Sequence, residues 1–244
     1  MIQFDNVTFS RGKRIILNGV CFTINTSERV AILGGSGEGK TTLLRLIMRL
    51  LLPDIGKISI DGTEITVLPE SALTAIRRKF SIVFQDGALF DSLTVKENVA
   101  FYLREYTRLS EQQIDNKVRE LLSVVGVEEA INMMPEELSG GMLRRVAIAR
   151  SLAAQEPQMF LYDEPTSDLD PVSATKIRSL ILNLAGENRG FIIVTHEIFD
   201  ALKLARRFMF LNKGTILFDG TKDELLHTKV PELKFFLGDW SEEK

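Results

Sequence analysis

Apolar residues recur along this chain in two rhythms. Near the start they come in short alternating runs, Ile2-Gln3-Phe4, Val7-Thr8-Phe9 and Val20-Cys21-Phe22-Thr23-Ile24. Alternation of this kind marks strands with one buried face. Lys57-Ile58-Ser59-Ile60-Asp61-Gly62 repeats the pattern and ends on an Asp-Gly turn signal. Together these runs predict a small, largely antiparallel sheet. The second rhythm is apolar almost throughout: Val30 to Leu33, Met159 to Tyr162, Phe191 to Val194 and, with one serine, Phe80 to Phe84. Strands covered on both faces read this way, as in a parallel sheet flanked by helices. In open α/β sheets, ligands bind beyond the C-terminal ends of the strands. Those ends carry the Gly34 turn, Gln85, Asp163-Glu164 and His196.

From Asp86 to Gln155 no apolar strand occurs and the pattern is helical. Gln112 to Val125 sets Ile114, Val118, Leu121, Leu122 and Val125 on one face. A Ser-Gly-Gly turn, Ser139-Gly140-Gly141, opens the last helix of this stretch. The prediction is an α/β fold in a single domain spanning residues 1–244. Residues 1–85 hold the antiparallel sheet and the first part of the core, and residues 86–155 an inserted, mostly helical subdomain. Residues 156–225 complete the core, and 226–244 form a tail, apolar at its centre from Val230 to Trp240, that packs on its own subunit or on a partner.

Composition narrows this picture. The chain has 244 residues, 45% apolar, with a formal net charge of −3. Without a basic excess, nucleic acid is disfavoured as a partner. One cysteine, Cys21, cannot form an internal disulfide, which fits a reducing compartment; a small buried hydrophobe is its expected role. No run approaches the roughly 18 apolar residues of a membrane span, and the start lacks the features of a signal peptide. A soluble, cytosolic protein is expected, reaching any membrane through a partner.

Gly34-Gly35-Ser36-Gly37-Glu38-Gly39-Lys40-Thr41 fits the Gly-x4-Gly-Lys-Ser/Thr phosphate loop, and Thr42 follows it. The glycines let backbone N–H groups close around phosphates. Lys40 neutralises β- and γ-phosphate charge, and the Thr41 hydroxyl is placed for Mg²⁺. The loop follows an apolar strand and opens a helix from Leu43 to Ile47, so context agrees with motif. Asp163 closes a second buried strand, where the Mg²⁺-binding aspartate of phosphate-loop enzymes stands; the adjacent Glu164 then faces the γ-phosphate and polarises water. Without the loop, the same pair would read as an acidic helix start before Pro165. Gln85 and His196 close buried strands, as site residues or as plain strand-end residues. His227 lies in a polar stretch with no chemical neighbours.

The order of these motifs, residues 34–42, Gln85, Leu138-Ser139-Gly140-Gly141, Asp163-Glu164, Ser167-Asp168-Leu169-Asp170 and His196, resembles the ATPase subunit of ABC transporters across residues 2 to 225 or so. The resemblance implies a P-loop NTPase (RecA-like) core with a parallel sheet. It implies ATP and Mg²⁺ as cofactors, Gln85 as the Q-loop glutamine and His196 as the switch histidine, and catalysis by Glu164, His196, Lys40 and Gln85. Metal would be held by Thr41, Gln85 and Asp163. It further implies a head-to-tail homodimer in which Ser139, Gly140 and Gly141 bind the ATP held on the other copy and Asp168 links the two sites. Two positions depart from the family: Met142 stands where a glutamine is usual, and Arg11 where an aromatic residue stacks on adenine. Arg11 either stacks its guanidinium on the base or is a solvated turn residue. Met142, Arg144-Arg145 and the stretch Val83 to Val95 resemble the Mla/Mkl branch of the family. That branch implies lipid transport with an integral membrane permease, an Mce-type lipid-binding protein and a small accessory regulator, on the cytoplasmic face of the inner membrane. A permease helix would dock near Gln85 to Tyr102 on Ala88, Leu89, Phe90 and Leu93, unless these residues are core. Other expectations are an importer of amino acids, metals or another small solute, or a soluble non-transport ABC ATPase.

Overall fold

The computed structural model describes residues 1–154, 157–186 and 189–241. Two sheets organise it. An antiparallel sheet contains β1 (Ile2–Arg11), β2 (Arg14–Ile24), β4 (Ile55–Ile60) and β5 (Thr63–Glu64), in the order β2-β1-β4-β5. A six-stranded sheet contains β3 (Arg29–Leu33), β6 (Phe80–Val83), β7 (Met159–Asp163), β8 (Gly190–Thr195), β9 (Arg207–Asn212) and β10 (Thr215–Thr221), in the order β10-β9-β3-β8-β7-β6. All its neighbours are parallel except the β9–β10 hairpin. The helices are α1 (Lys40–Ile47), α2 (Glu70–Arg77), α3 (Val95–Tyr106), α4 (Glu111–Val125), α5 (Gly140–Ala153), α6 (Pro171–Ala185), α7 (Ile198–Leu204), α8 (Lys222–Leu226) and α9 (Pro231–Leu237). The α/β fold with an N-terminal antiparallel sheet, a parallel core and an inserted helical part is therefore present.

The apolar strands conceal a period of two. Val30, Ile32, Met159, Leu161, Ile192 and Val194 face α1 and the antiparallel sheet in one apolar cluster. Ala31, Leu33, Phe160, Tyr162, Phe191 and Ile193 face the other way, onto residues of α3 to α6 and α9. Each strand thus serves two cores, and all five residues of β7 are buried. Cys21 departs from expectation. On β2 the inward positions are Val20, Phe22 and Ile24, so Cys21 falls on the outer face and is exposed.

Helix ends follow local chemistry. Thr94 with Glu97, and Ser110 with Gln113, form capping boxes at the starts of α3 and α4. Asp170 caps α6, accepting from Val172 and Ser173 N–H, with Pro171 at the first helical position. The tail packs on its own subunit: Leu233 and Leu237 are buried, and Phe236 lies 5.2 Å from Phe210 between ring centroids.

Candidate active site

The Gly34 turn joins β3 to α1. A side chain at Gly34 would meet the Leu211 carbonyl at 2.4 Å, so only glycine passes there. Gly39, at φ 104°, precedes α1 in a left-handed conformation, and no side chain caps this helix. Its first N–H groups are left free, which suits an anion. Lys40 folds back over the turn. Its Nζ donates to the carbonyls of Gly34 (2.9 Å) and Gly35 (3.0 Å) and lies 3.2 Å from Glu164 Oε1. Both side chains of this ion pair are nearly fully buried.

Thr41 Oγ1 donates to Asp163 Oδ1 at 2.9 Å, which joins the start of α1 to the end of β7. Burial pushes the Asp163 carboxyl above its ordinary range. The neighbouring charge of Glu164 adds to this, against the Thr41 hydrogen bond and the charges of Arg45 and Lys40. Glu164 follows in a left-handed conformation, φ 45°, uncommon for a residue with a Cβ. Its N–H donates to Val194 O (2.9 Å), and Ser167 Oγ donates to its carbonyl (2.9 Å). His196, just beyond β8, meets the carboxylate through Nδ1 at 3.0 Å. Burial alone would raise the Glu164 carboxyl. The His196 hydrogen bond and the Lys40 charge outweigh that and hold it below the usual range.

A cavity of about 570 Å³ opens over these groups, within the size range of ligand pockets. Ser36, Gly37, Gly39, Lys40, Thr41, Thr42, Gln85, Glu164 and Arg11 line it. The Glu38 carboxylate turns away and accepts from the Lys213 N–H. Arg14 and Arg45 also line the cavity, with Phe9 and Ile16 beside Arg11. Sequence reasoning passed over this pair of arginines. The signal was available: Arg14 follows Arg11 across one hairpin turn, and Arg45 lies one turn and a half beyond Lys40 on α1. Ser139, Gly140, Gly141 and Asp168 do not line the cavity. Ser139 caps α5 instead, accepting from Met142 N–H at 3.3 Å, and remains exposed. Among the described residues, His227 bonds only locally, to Asp223.

A glycine turn opening a helix, its lysine and threonine facing an Asp-Glu pair across a parallel sheet, defines a P-loop nucleoside triphosphatase. Residues 17–167 match the family described as ABC transporter. The intermembrane phospholipid transport system ATP-binding protein MlaF of Haemophilus influenzae is 38% identical over 238 residues, 97% of this chain and 90% of that one. The glutamine transport ATP-binding protein GlnQ of Escherichia coli is 40% identical over 226 residues, 93% of each. An ATP-binding cassette solved as a dimer in a post-hydrolysis state, bound to ADP and Pi, superimposes with a TM-score of 0.83 at 34% identity, covering 91% of this chain and 98% of that one. The chain belongs to the ABC transporter family and is an ATP-hydrolysing ABC ATPase. No helix among the described residues is long and apolar enough to cross a membrane.

Proposed function

We propose that the chain powers a transporter of phospholipids or other lipids through a partner integral membrane permease, as a head-to-tail homodimer with ATP sandwiched between copies. The likeness to MlaF supports the lipid part, and the observation that carries the sandwich is the split between two groups of residues. The cavity gathers Lys40, Thr41, Gln85 and Glu164, while the Ser139 turn, a second anion-suited helix start, faces solvent elsewhere. A second copy brings Ser139, Gly140 and Gly141 to the γ-phosphate, with Asp168 between the sites.

In this reading Lys40 exchanges its carbonyl partners for phosphate oxygens, and the N–H groups of residues 34–42 cradle them. Glu164, held by His196, orients the attacking water and draws off its proton. Gln85 lies at the cavity edge to contact water and γ-phosphate. Arg11 and Phe9 flank the base. Mg²⁺ fits the donor set, because Thr41 Oγ1 and Asp163 offer hard oxygens side by side and Gln85 adds a third. Few protein ligands suffice for an ion that keeps water and phosphate in its shell. When bound, it supplies charge neutralisation across the phosphates.

An apolar groove of about 520 Å³ supports the permease contact. It is lined by Phe90, Phe101, Tyr106, Arg78 and Arg150. Phe90 is 43% exposed and meets Phe101, which is 42% exposed, at 4.9 Å between ring centroids in a tilted arrangement. Leu89 packs against the core instead. Through this contact the ATPase would sit on the cytoplasmic face of the inner membrane. An Mce-type lipid-binding protein and a small accessory regulator belong to the lipid reading. A second reading, an importer for a small solute, draws on the likeness to GlnQ.

Purification of the tagged chain from its native membrane, with mass spectrometry of associated proteins and lipids, tests the proposal. A co-purifying polytopic permease with bound phospholipid is expected. Recovery of no polytopic protein would overturn the transporter role, and a lipid-free complex stimulated by an amino acid would favour the importer.

A further inference from the structure

Arg144 has no role in the site described above, yet it lies between the elements that carry the site. It is the fifth residue of α5, the helix that begins behind Ser139. Its side chain is only 6% exposed. Nη1 donates to Phe84 O at 3.2 Å, one residue before Gln85. Nη2 donates to Ser167 Oγ at 3.5 Å, and that hydroxyl donates to the Glu164 carbonyl at 2.9 Å. Nε is buried with no hydrogen-bond partner. Among the described residues no carboxylate lies within ion-pair distance; Asp86, Asp168 and Asp163 act on the guanidinium as charges at longer range.

A charge buried this way is a poor means of holding a fold together. Unpaired buried charge costs stability, and apolar residues of similar volume often replace buried ions without loss. What the guanidinium provides is reach. One rigid fork spans from α5 to the turn bearing Gln85 and to the turn bearing Glu164.

We infer that Arg144 is a positioning residue for ATP hydrolysis, holding the Gln85 and Glu164 turns in register with the helix that carries Ser139. The inference rests on the proposed roles of Gln85 and Glu164. Displacement of such groups by about 1 Å lowers rates by up to about a hundredfold.

The test measures steady-state ATP turnover with Mg²⁺, the KM for ATP and thermal unfolding on the full-length protein. Arg144→Met keeps an unbranched apolar stem and removes the fork and its charge. Its Tm is expected to match or exceed that of the parent, its KM to stay within about twofold and its kcat to fall about tenfold or more. Arg144→Lys keeps the charge without the span and is expected to lose kcat as well; it carries the test if the methionine variant does not fold. In a Ser167→Ala background, Arg144→Met should lower kcat by clearly less than it does alone, since both act on the Glu164 turn.

Unchanged kcat in Arg144→Met overturns the inference. So does a kcat loss that only tracks a lower Tm, or one that multiplies fully in the Ser167→Ala background. Glu164→Gln, measured alongside, separates the two failures. If it keeps turnover, the role given to Glu164 fails; if it is inactive while Arg144→Met is normal, only the role of Arg144 fails.

Discussion

Asp163 and Glu164 are adjacent carboxylates that the fold drives in opposite directions. Burial raises Asp163, whereas the contacts of Glu164 with His196 and Lys40 overcome its burial and lower it. Environments that separate two neighbouring acids in this way often mark residues with different chemical duties. The raised group binds its proton more tightly in the folded state than in the unfolded chain. Its ionisation therefore removes stability as pH rises from the unfolded value, about 3.9, through the folded one. Glu164 works the other way, adding stability above the ordinary glutamate value that disappears as pH falls through its lowered one. Asp163→Asn keeps an acceptor for Thr41 but no charge. It is expected to have a higher Tm than the parent at pH 7 without nucleotide, an advantage that vanishes below about pH 4, and to lose turnover. Thermal scans from pH 4 to 8 check this; equal Tm values at pH 7 would contradict it.

Among the elements, the start of α3 governs the exposed aromatic groove. Asn98 is fully buried. Its Nδ2 donates to the carbonyls of Phe90, Leu93 and Thr94, and its Oδ1 accepts from Phe90 N–H at 2.8 Å. Asn98→Ala leaves these groups to find water or remain unpaired, so a destabilisation of about 2–3 kcal/mol is expected, with faster amide exchange at Phe90. Denaturant titration and hydrogen exchange measure both. No capping signal outside α3 hints that Asn98 fastens a loop, because its partners are backbone atoms that a sequence does not distinguish. Strands with strong patterns were legible: β3, β7 and β8 stand where apolar runs place them, as β6 does from Phe80 to Val83. Their burial on both faces was legible too, but not which residue faces which core, since a run apolar at every position hides its own alternation. The run Phe208 to Leu211 in β9 carries the same signal. Its hairpin to β10 turns on Lys213 and Gly214, both at positive φ (47° and 77°). A lysine there gives little warning of a turn that usually draws asparagine or aspartate. The half-exposed β10 adds the Arg207–Asp219 pair, at 2.7 Å, to its backbone ladder with β9.

The molecule as a whole has a cavity and, away from it, an uncovered helix start at Ser139. Sequence order made the second feature visible as a family motif, but that it does not line the cavity became apparent only in three dimensions. Two variants test whether another copy joins them. Glu164→Gln is expected to bind ATP and hydrolyse it about 10²–10⁴-fold more slowly, a loss of about 3–5 kcal/mol, while accumulating as an ATP-dependent dimer. Ser139→Arg is expected to bind ATP as a monomer and neither dimerise nor turn over. Light scattering and nucleotide-binding assays follow both, and a Glu164→Gln protein that stays monomeric in saturating ATP would remove the sandwich. The outward turn of Cys21 bears on how such motion is watched. It is the only cysteine in the sequence and it is exposed on β2. A spin label or fluorophore attached there marks each copy once, with no substitution needed. If a second copy joins, the two labels yield a single distance, and following it through turnover tests whether the pair closes and separates.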